Sequence, residues 1–295
     1  MDLNLYLKER KKKVDDHIKK YIASKKKQKD CPKRLCEAMG YALMAGGKRV
    51  RPVLAMASCE AVGGKPDRFL PIASSLELIH TYSLIHDDLP AMDNDDLRRN
   101  KPTTHRVFGE AIAILAGDAL LTDAFSMISN SKADPKTLID IINELSYASG
   151  PEGMVGGQAV DLILEGTKAK KKDLLYIHTH KTGALIRASV RIGAMMGNSS
   201  ASELDALTEY GEKIGLAFQV IDDILDVTGT REELGKSTGA DDARGKNTYP
   251  SIFGLKESQR IAEILVNDSI KALSGFNKKA QPLTEIARYL LSRRN

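Results

Sequence analysis

At 295 residues, with 42% hydrophobic and 28% charged residues, the chain has a globular composition, which excludes wholesale disorder. No run approaches the roughly 20 uninterrupted apolar residues that span a bilayer, and the start MDLNLYLKERKKK lacks the apolar stretch of a secretory signal. A soluble, cytoplasmic protein with no membrane span is expected.

In chain order, residues 1–34 come first, with 13 Lys or Arg against 5 Asp or Glu. They are expected to form a solvated basic helix over about 1–30, partly frayed. The net charge of +5 comes without a recognition motif or interleaved aromatics, so no nucleic-acid partner is expected. Cys31, Cys36 and Cys59 form neither a C-x-x-C pair nor an even set and are expected to be reduced. Helical periodicity predicts segments at 33–45, 50–62, 70–89, 107–130, 136–149, 153–166, 172–197, 202–228, 258–274 and 281–293. Breaks such as Gly46-Gly47, Asp134-Pro135 and Gly150-Pro151 carry turn chemistry. Alternating β-branched runs are hard to find, and no linker or repeat divides the chain, so the expected fold class is all-α, one helical domain over residues 1–295.

Asp222-Asp223-Ile224-Leu225-Asp226 interrupts an apolar helix. Asp222 and Asp226 share a face, with Asp223 on its flank, so three carboxylates are expected to converge. Buried like charges carry a large desolvation cost. All-oxygen donors select a hard divalent ion, and a site with room for water suits Mg²⁺ bridging to phosphate. A solvated acidic face is the alternative. A second cluster closes the helix around residues 74–86 as Asp87-Asp88-Leu89-Pro90-Ala91-Met92-Asp93, where Pro90 loosens the helix and lets Asp93 fold back towards Asp87. Leu97 and Arg98 fall where a calcium loop needs a ligand and a glycine, which rejects that reading. Arg98-Arg99 then either neutralise the aspartates or hold an oxyanion beside the metal.

Gly46-Gly47-Lys48-Arg49-Val50-Arg51-Pro52 lacks P-loop spacing but offers backbone N–H groups and cations to one phosphate. Lys181-Thr182-Gly183, Gly235-Lys236 and Gly245-Lys246 add lysines at helix breaks, each readable as ordinary surface. Two acidic clusters and several cations point to a ligand with more than one phosphate, and to metal-assisted departure of diphosphate.

These stretches, with LAGDALL, GMVGGQAVD, HKTGAL and GKSTGADDARGKNTYP, resemble the all-trans short-chain polyprenyl diphosphate synthases, closest to the bacterial farnesyl branch, from about Leu35 to Pro250. The resemblance implies an all-helical fold around a deep central cavity, in a homodimer that joins isopentenyl diphosphate head-to-tail to dimethylallyl or geranyl diphosphate. It implies Mg²⁺, three ions per site with Mn²⁺ as substitute, held by Asp87, Asp88, Asp93, Asp222 and Asp226, with Asp223 and Lys181 also catalytic and Asp241 a further contact. Lys48, Arg51, His80 and Arg99 would bind isopentenyl diphosphate. Arg98, Lys181, Thr182, Gln219, Lys236 and Lys246 would bind the allylic diphosphate. Tyr82, with Ser83 beside it, lies about 7.5 Å along the helix from Asp87. Its ring would floor the cavity and stop growth at farnesyl diphosphate, whereas geranylgeranyl-forming relatives usually have a smaller residue there. A tyrosine in an ordinary core is the plainer alternative.

Three features depart from the pattern. Asn100 stands where relatives usually have glycine, the lysine-rich start has no family role, and the tail from Ser292 only loosely resembles a closing basic tail. A terpene cyclase would mix Asn, Ser and Glu in its second motif. A non-catalytic subunit of a heteromeric synthase would tend to lose the aspartates, and a geranylgeranyl product is the nearer alternative.

Overall fold

Apolar residues recurring at helical spacing fold into helices almost throughout the computed structural model, which describes residues 1–167, 169–229 and 246–292. The all-α class expected from the sequence is what the chain adopts. Among the described residues the one extended pair is a short antiparallel ribbon. The chain divides into two compact units, residues 4–53 with 67–142, and residues 1–3 and 54–66 with 143–295.

The first unit begins with α1 (Leu3–Lys27), a continuous helix whose Val14, Ile18 and Ile22 are buried at four-residue spacing while most of its lysines are exposed. Asp123 fixes α1 from across the unit, accepting from the Tyr21 hydroxyl and pairing with Lys25 at 2.7 Å. Helix α2 (Lys33–Leu43) follows a bend at Pro32. Contrary to the expectation of reduced thiols, Cys31 and Cys36 are bonded to each other. The bend lays the first turn of α2 back along the preceding residue, bringing the two Cα atoms to 6.7 Å. Cys59 remains a buried free thiol.

Helix α3 (Val50–Ala61) starts in this unit, and α4 (Leu70–Asp87) is its centre, buried nearly all round by Ile72, Leu76, Leu78, Ile79, Tyr82 and Ile85. Strands β1 (Leu97–Arg98) and β2 (Lys101–Pro102) pair across a two-residue turn. The predicted 107–130 helix is divided at Gly109 into α5 (Thr104–Phe108) and α6 (Glu110–Ser129). Helix α6 is long and apolar enough, by length and composition, to cross a membrane, with a mean hydropathy of 1.6 over its best window. Here a third of that window is buried, and the helix packs on α4 and α2. Helix α7 (Pro135–Ser149) leads out of the unit.

In the second unit, α8 (Met154–Ile163) precedes a segment expected as one helix, 172–197. It is instead α9 (Lys171–Ile177), one widened π-helical stretch (His178–Gly183) and α10 (Ala184–Met196). Helix α11 (Ala201–Thr228) starts at a reciprocal Ser200–Glu203 cap and packs against α10. Helices α12 (Tyr249–Phe253), α13 (Leu255–Ala272) and α14 (Gln281–Ser292) complete the unit.

Candidate active site

In the first unit the acidic motif sits where α4 runs out. Asp87 is its last residue, and the chain turns back so that the Asp93 N–H donates to the Asp87 carbonyl at 2.8 Å, and the Asp95 N–H to that of Asp88 at 3.2 Å. Asp88 is buried, and its Oδ1 accepts from Arg98 Nε at 2.7 Å and from Arg98 Nη2 at 2.5 Å. Burial pushes the Asp88 carboxyl above its usual range, against the pull of Arg98. Arg98 Nη2 also reaches Asp95 Oδ2 at 3.3 Å, so the guanidinium partly neutralises two aspartates of this motif.

Arg99 goes elsewhere. Arg99 and Asn100 form the two-residue turn of the ribbon with φ of 54° and 60°, and asparagine is one of the few residues that tolerates this left-handed conformation. The Arg99 guanidinium is thereby delivered to the Gly46 carbonyl and lies against Gly47, where an added Cβ would strike it. Gly46 and Gly47, with φ of 105° and 121°, supply the bend that admits it.

Beside this turn lies His80. Burial pushes its pKa well below the ordinary value, and the charges of Arg51, Arg99, Arg98 and Arg49 push the same way. The imidazole is therefore neutral at pH 7 and can share a proton with an anion rather than add charge. Burial also pushes Arg99 down, with Glu77 opposing and Arg49 and Arg98 reinforcing. Such a cluster of guanidiniums is electrostatically completed by an anion. Lys48 is exposed at the rim of the turn.

In the second unit the π-helical stretch carries Lys181 and Thr182, a conformation frequent at functional sites. Lys181 Nζ meets Asp161 Oδ2 of α8 at 2.6 Å. Residue 157 must be glycine for this approach, because a Cβ there would collide with the Lys181 backbone nitrogen. Thr182 Oγ1 donates to Gln219 Oε1 at 2.8 Å, Gln219 Nε2 donates to Asp223 Oδ1 at 2.9 Å, and the Tyr249 N–H donates to Asp223 Oδ2 at 2.9 Å. His178 stacks on Tyr249 and sits 3.5 Å from the same carboxylate; burial pushes its pKa down to about 3.

The expected convergence of three carboxylates on α11 is not what the helix builds. Asp223 is turned about 100° from Asp222 by helical geometry, and both its oxygens are engaged by Gln219 and Tyr249. Asp222 and Asp226 share the other face, and among the described residues no three His, Cys, Asp or Glu side chains form a metal-holding group. Lys246 immediately precedes Asn247, whose side chain binds the backbone at 167 and 169. Lys236 and Asp241 lie outside the described residues.

A model of the family described as polyprenyl synthetase matches residues 32–281. The chain belongs to that family. It is 49% identical to the heterodimeric geranylgeranyl pyrophosphate synthase large subunit 1 of Arabidopsis thaliana, over 90% of this chain and 73% of that protein. It is 47% identical to the farnesyl diphosphate synthase of Geobacillus stearothermophilus, over 86% of each. The solved apo structure of an FPP/GFPP synthase from Zymomonas mobilis superposes with a TM-score of 0.86 at 39% identity, covering 97% of this chain and 99% of that one. As a family member the chain is a prenyltransferase that elongates allylic diphosphates with isopentenyl diphosphate.

Several residues around the family motifs escape a motif reading. Asp161 lies within GMVGGQAVD, but its partner Lys181 is 20 residues away. Glu77, an acid in the apolar stretch of α4, signals a buried counter-charge that the sequence alone does not name.

Proposed function

We propose that the chain makes farnesyl diphosphate by two Mg²⁺-dependent additions of isopentenyl diphosphate, to dimethylallyl and then geranyl diphosphate. The observation that carries the product is Tyr82. It is buried in α4, one turn before His86 and five residues before Asp87, with its ring edge-on to His86 at 5.8 Å. A bulky ring at that depth limits the length of a prenyl tail running along α4. Burial, with the charge of Asp87, pushes the phenol up to about 12, so it offers a neutral floor.

In this reading Lys48, Arg51 and Arg99 hold the isopentenyl diphosphate, with neutral His80 donating to or accepting from it. Arg98, Lys181, Thr182, Gln219, Lys236 and Lys246 orient the allylic diphosphate. The donors fit a hard divalent ion, since Asp87, Asp93, Asp222 and Asp226 offer only carboxylate oxygen, and Asp87 and Asp93 lie on one folded-back turn. Mg²⁺, or Mn²⁺ in its place, would supply the positive charge that stabilises the departing diphosphate. Asp88 then serves by fixing Arg98, and Asp223 by fixing Gln219. A homodimer is supported by exposed apolar side chains of the first unit: Ile114 and Leu115 on α6, 44% and 52% exposed, and Ile139 on α7, 58% exposed.

The test is direct. The purified chain, given Mg²⁺, isopentenyl diphosphate and dimethylallyl diphosphate, yields a dephosphorylated C15 alcohol, and Tyr82→Ala lengthens it. An unchanged C15 product in Tyr82→Ala refutes the floor. The relatives carry both names, so geranylgeranyl diphosphate is the second reading, and a wild-type C20 product selects it. No condensation by the chain alone would favour a heteromeric subunit.

A further inference from the structure

Arg49 lies between Lys48 and Arg51 in the turn. It is 2% exposed, and its guanidinium ends on three separate elements. Nε donates to Asp15 of α1 at 2.8 Å, Nη1 to Glu77 of α4 at 2.5 Å, and Nη2 to the Leu43 carbonyl at the end of α2 at 2.6 Å. Glu77 is itself 2% exposed, and Lys11 meets the other oxygen of Asp15 at 2.6 Å. The network thus holds two positive and two negative side chains. Arg49 also carries φ of 54°, a left-handed backbone that is costly for a non-glycine residue. Such a conformation persists only where the surroundings over-determine it.

The turn has little stiffness of its own, since Gly46 and Gly47 precede Lys48. A guanidinium pinned at three points is what stops it from wandering. We infer that Asp15, Arg49 and Glu77 form a strut through which helix α1 and helix α4 set the Gly46–Pro52 turn, making Asp15 and Glu77 positioning residues for the diphosphate of isopentenyl diphosphate. This rests on the reading that Lys48 and Arg51 bind that group. It gives the lysine-rich N-terminal helix a function that its charge pattern does not disclose.

The experiment compares Asp15→Asn, Asp15→Glu, Glu77→Gln and Lys48→Ala in the full chain by steady-state kinetics with each substrate varied in turn, alongside thermal melts. Asp15→Asn, at a half-buried site, is expected to raise the KM for isopentenyl diphosphate about fivefold, with kcat and the allylic KM within about twofold of wild type. Asp15→Glu should recover most of the loss, and Glu77→Gln should shift the same KM further. If Lys48→Ala raises that KM but Asp15→Asn and Glu77→Gln lower only the melting temperature, the strut is overturned and the binding reading stands. If kcat and both KM values worsen together, the role is general folding and the strut is overturned too. If Lys48→Ala leaves the KM unchanged, the binding reading fails and takes the strut with it.

Discussion

Asp223→Asn separates the two faces of the second acidic motif. Asp223 is 3% exposed and accepts from Gln219 Nε2 and from the Tyr249 N–H, each at 2.9 Å. Asparagine keeps the shape but has only one acceptor oxygen. If that oxygen stays on the Tyr249 N–H, its amide NH₂ meets the NH₂ of Gln219. Rotating the Gln219 amide relieves that clash but takes the acceptor from Thr182 Oγ1, which donates to Gln219 at 2.8 Å. Thr182 Oγ1 must then accept instead of donate, and both hydrogen bonds at position 223 lose their charged acceptor and weaken. At about 1.5–3 kcal/mol for such a bond, the destabilisation comes to about 2–4 kcal/mol. For a chain of this size each kcal/mol shifts melting by about 2–4 °C, so calorimetry should read a fall of about 5–15 °C. Asp222→Asn, one residue earlier on a partly exposed face, should melt within about 2 °C of wild type while losing most of its activity. An Asp223→Asn chain that melts like wild type, or an Asp222→Asn chain that falls as far, would refute this division of labour.

Three further outcomes follow from local geometry. Asn100→Gly should leave both kinetics and melting unchanged, because both residues accept φ of 60°, whereas Asn100→Val should lose about 1–2 kcal/mol by denaturant titration; a neutral valine would contradict the left-handed turn. Gly157→Ala should raise the allylic KM sharply, since the new methyl displaces the backbone of Lys181, and kinetics indistinguishable from wild type would show that α8 need not approach so closely. Because the folded-state pKa of His80 lies below its ordinary 6.5, its ring should stay neutral as pH falls through that value, and its burial destabilises the fold progressively on further acidification. The ring carbon resonance, assigned with His80→Gln, should not move between pH 8 and 6.5; a midpoint near 6.5 would sink the argument.

The sequence is most legible where periodicity and chemistry coincide. The ten predicted helical segments fall on helical stretches of the structure, two of them subdivided at Gly109 and at the π-helical stretch, because each carries an apolar stripe wide enough to bury. Asp87 and Asp93 are legible as a pair because Pro90 between them announces the fold-back. What stays hidden depends on partners distant in sequence. Nothing near Asp15 names Arg49, 34 residues on, and nothing in IHDD says that its second aspartate is held by Arg98. The π-helical stretch within 172–197 is invisible to a 3.6-residue pattern, because one widened turn leaves the apolar spacing almost intact. The number and spacing of the cysteines do not disclose the Cys31–Cys36 bond, because the start of α2 is what brings these two together.

The ribbon at residues 97–102 sorts two identical side chains. Arg98 ends the first strand whereas Arg99 opens the left-handed turn, so the two side chains leave for different partners, Asp88 and the Gly46 carbonyl. Exchanging residues that accept the left-handed turn is therefore tolerable, whereas adding or removing one residue would alter which partner each arginine reaches. Length, more than composition, is the inherited information at this spot, and anyone grafting the loop between homologues should hold it fixed.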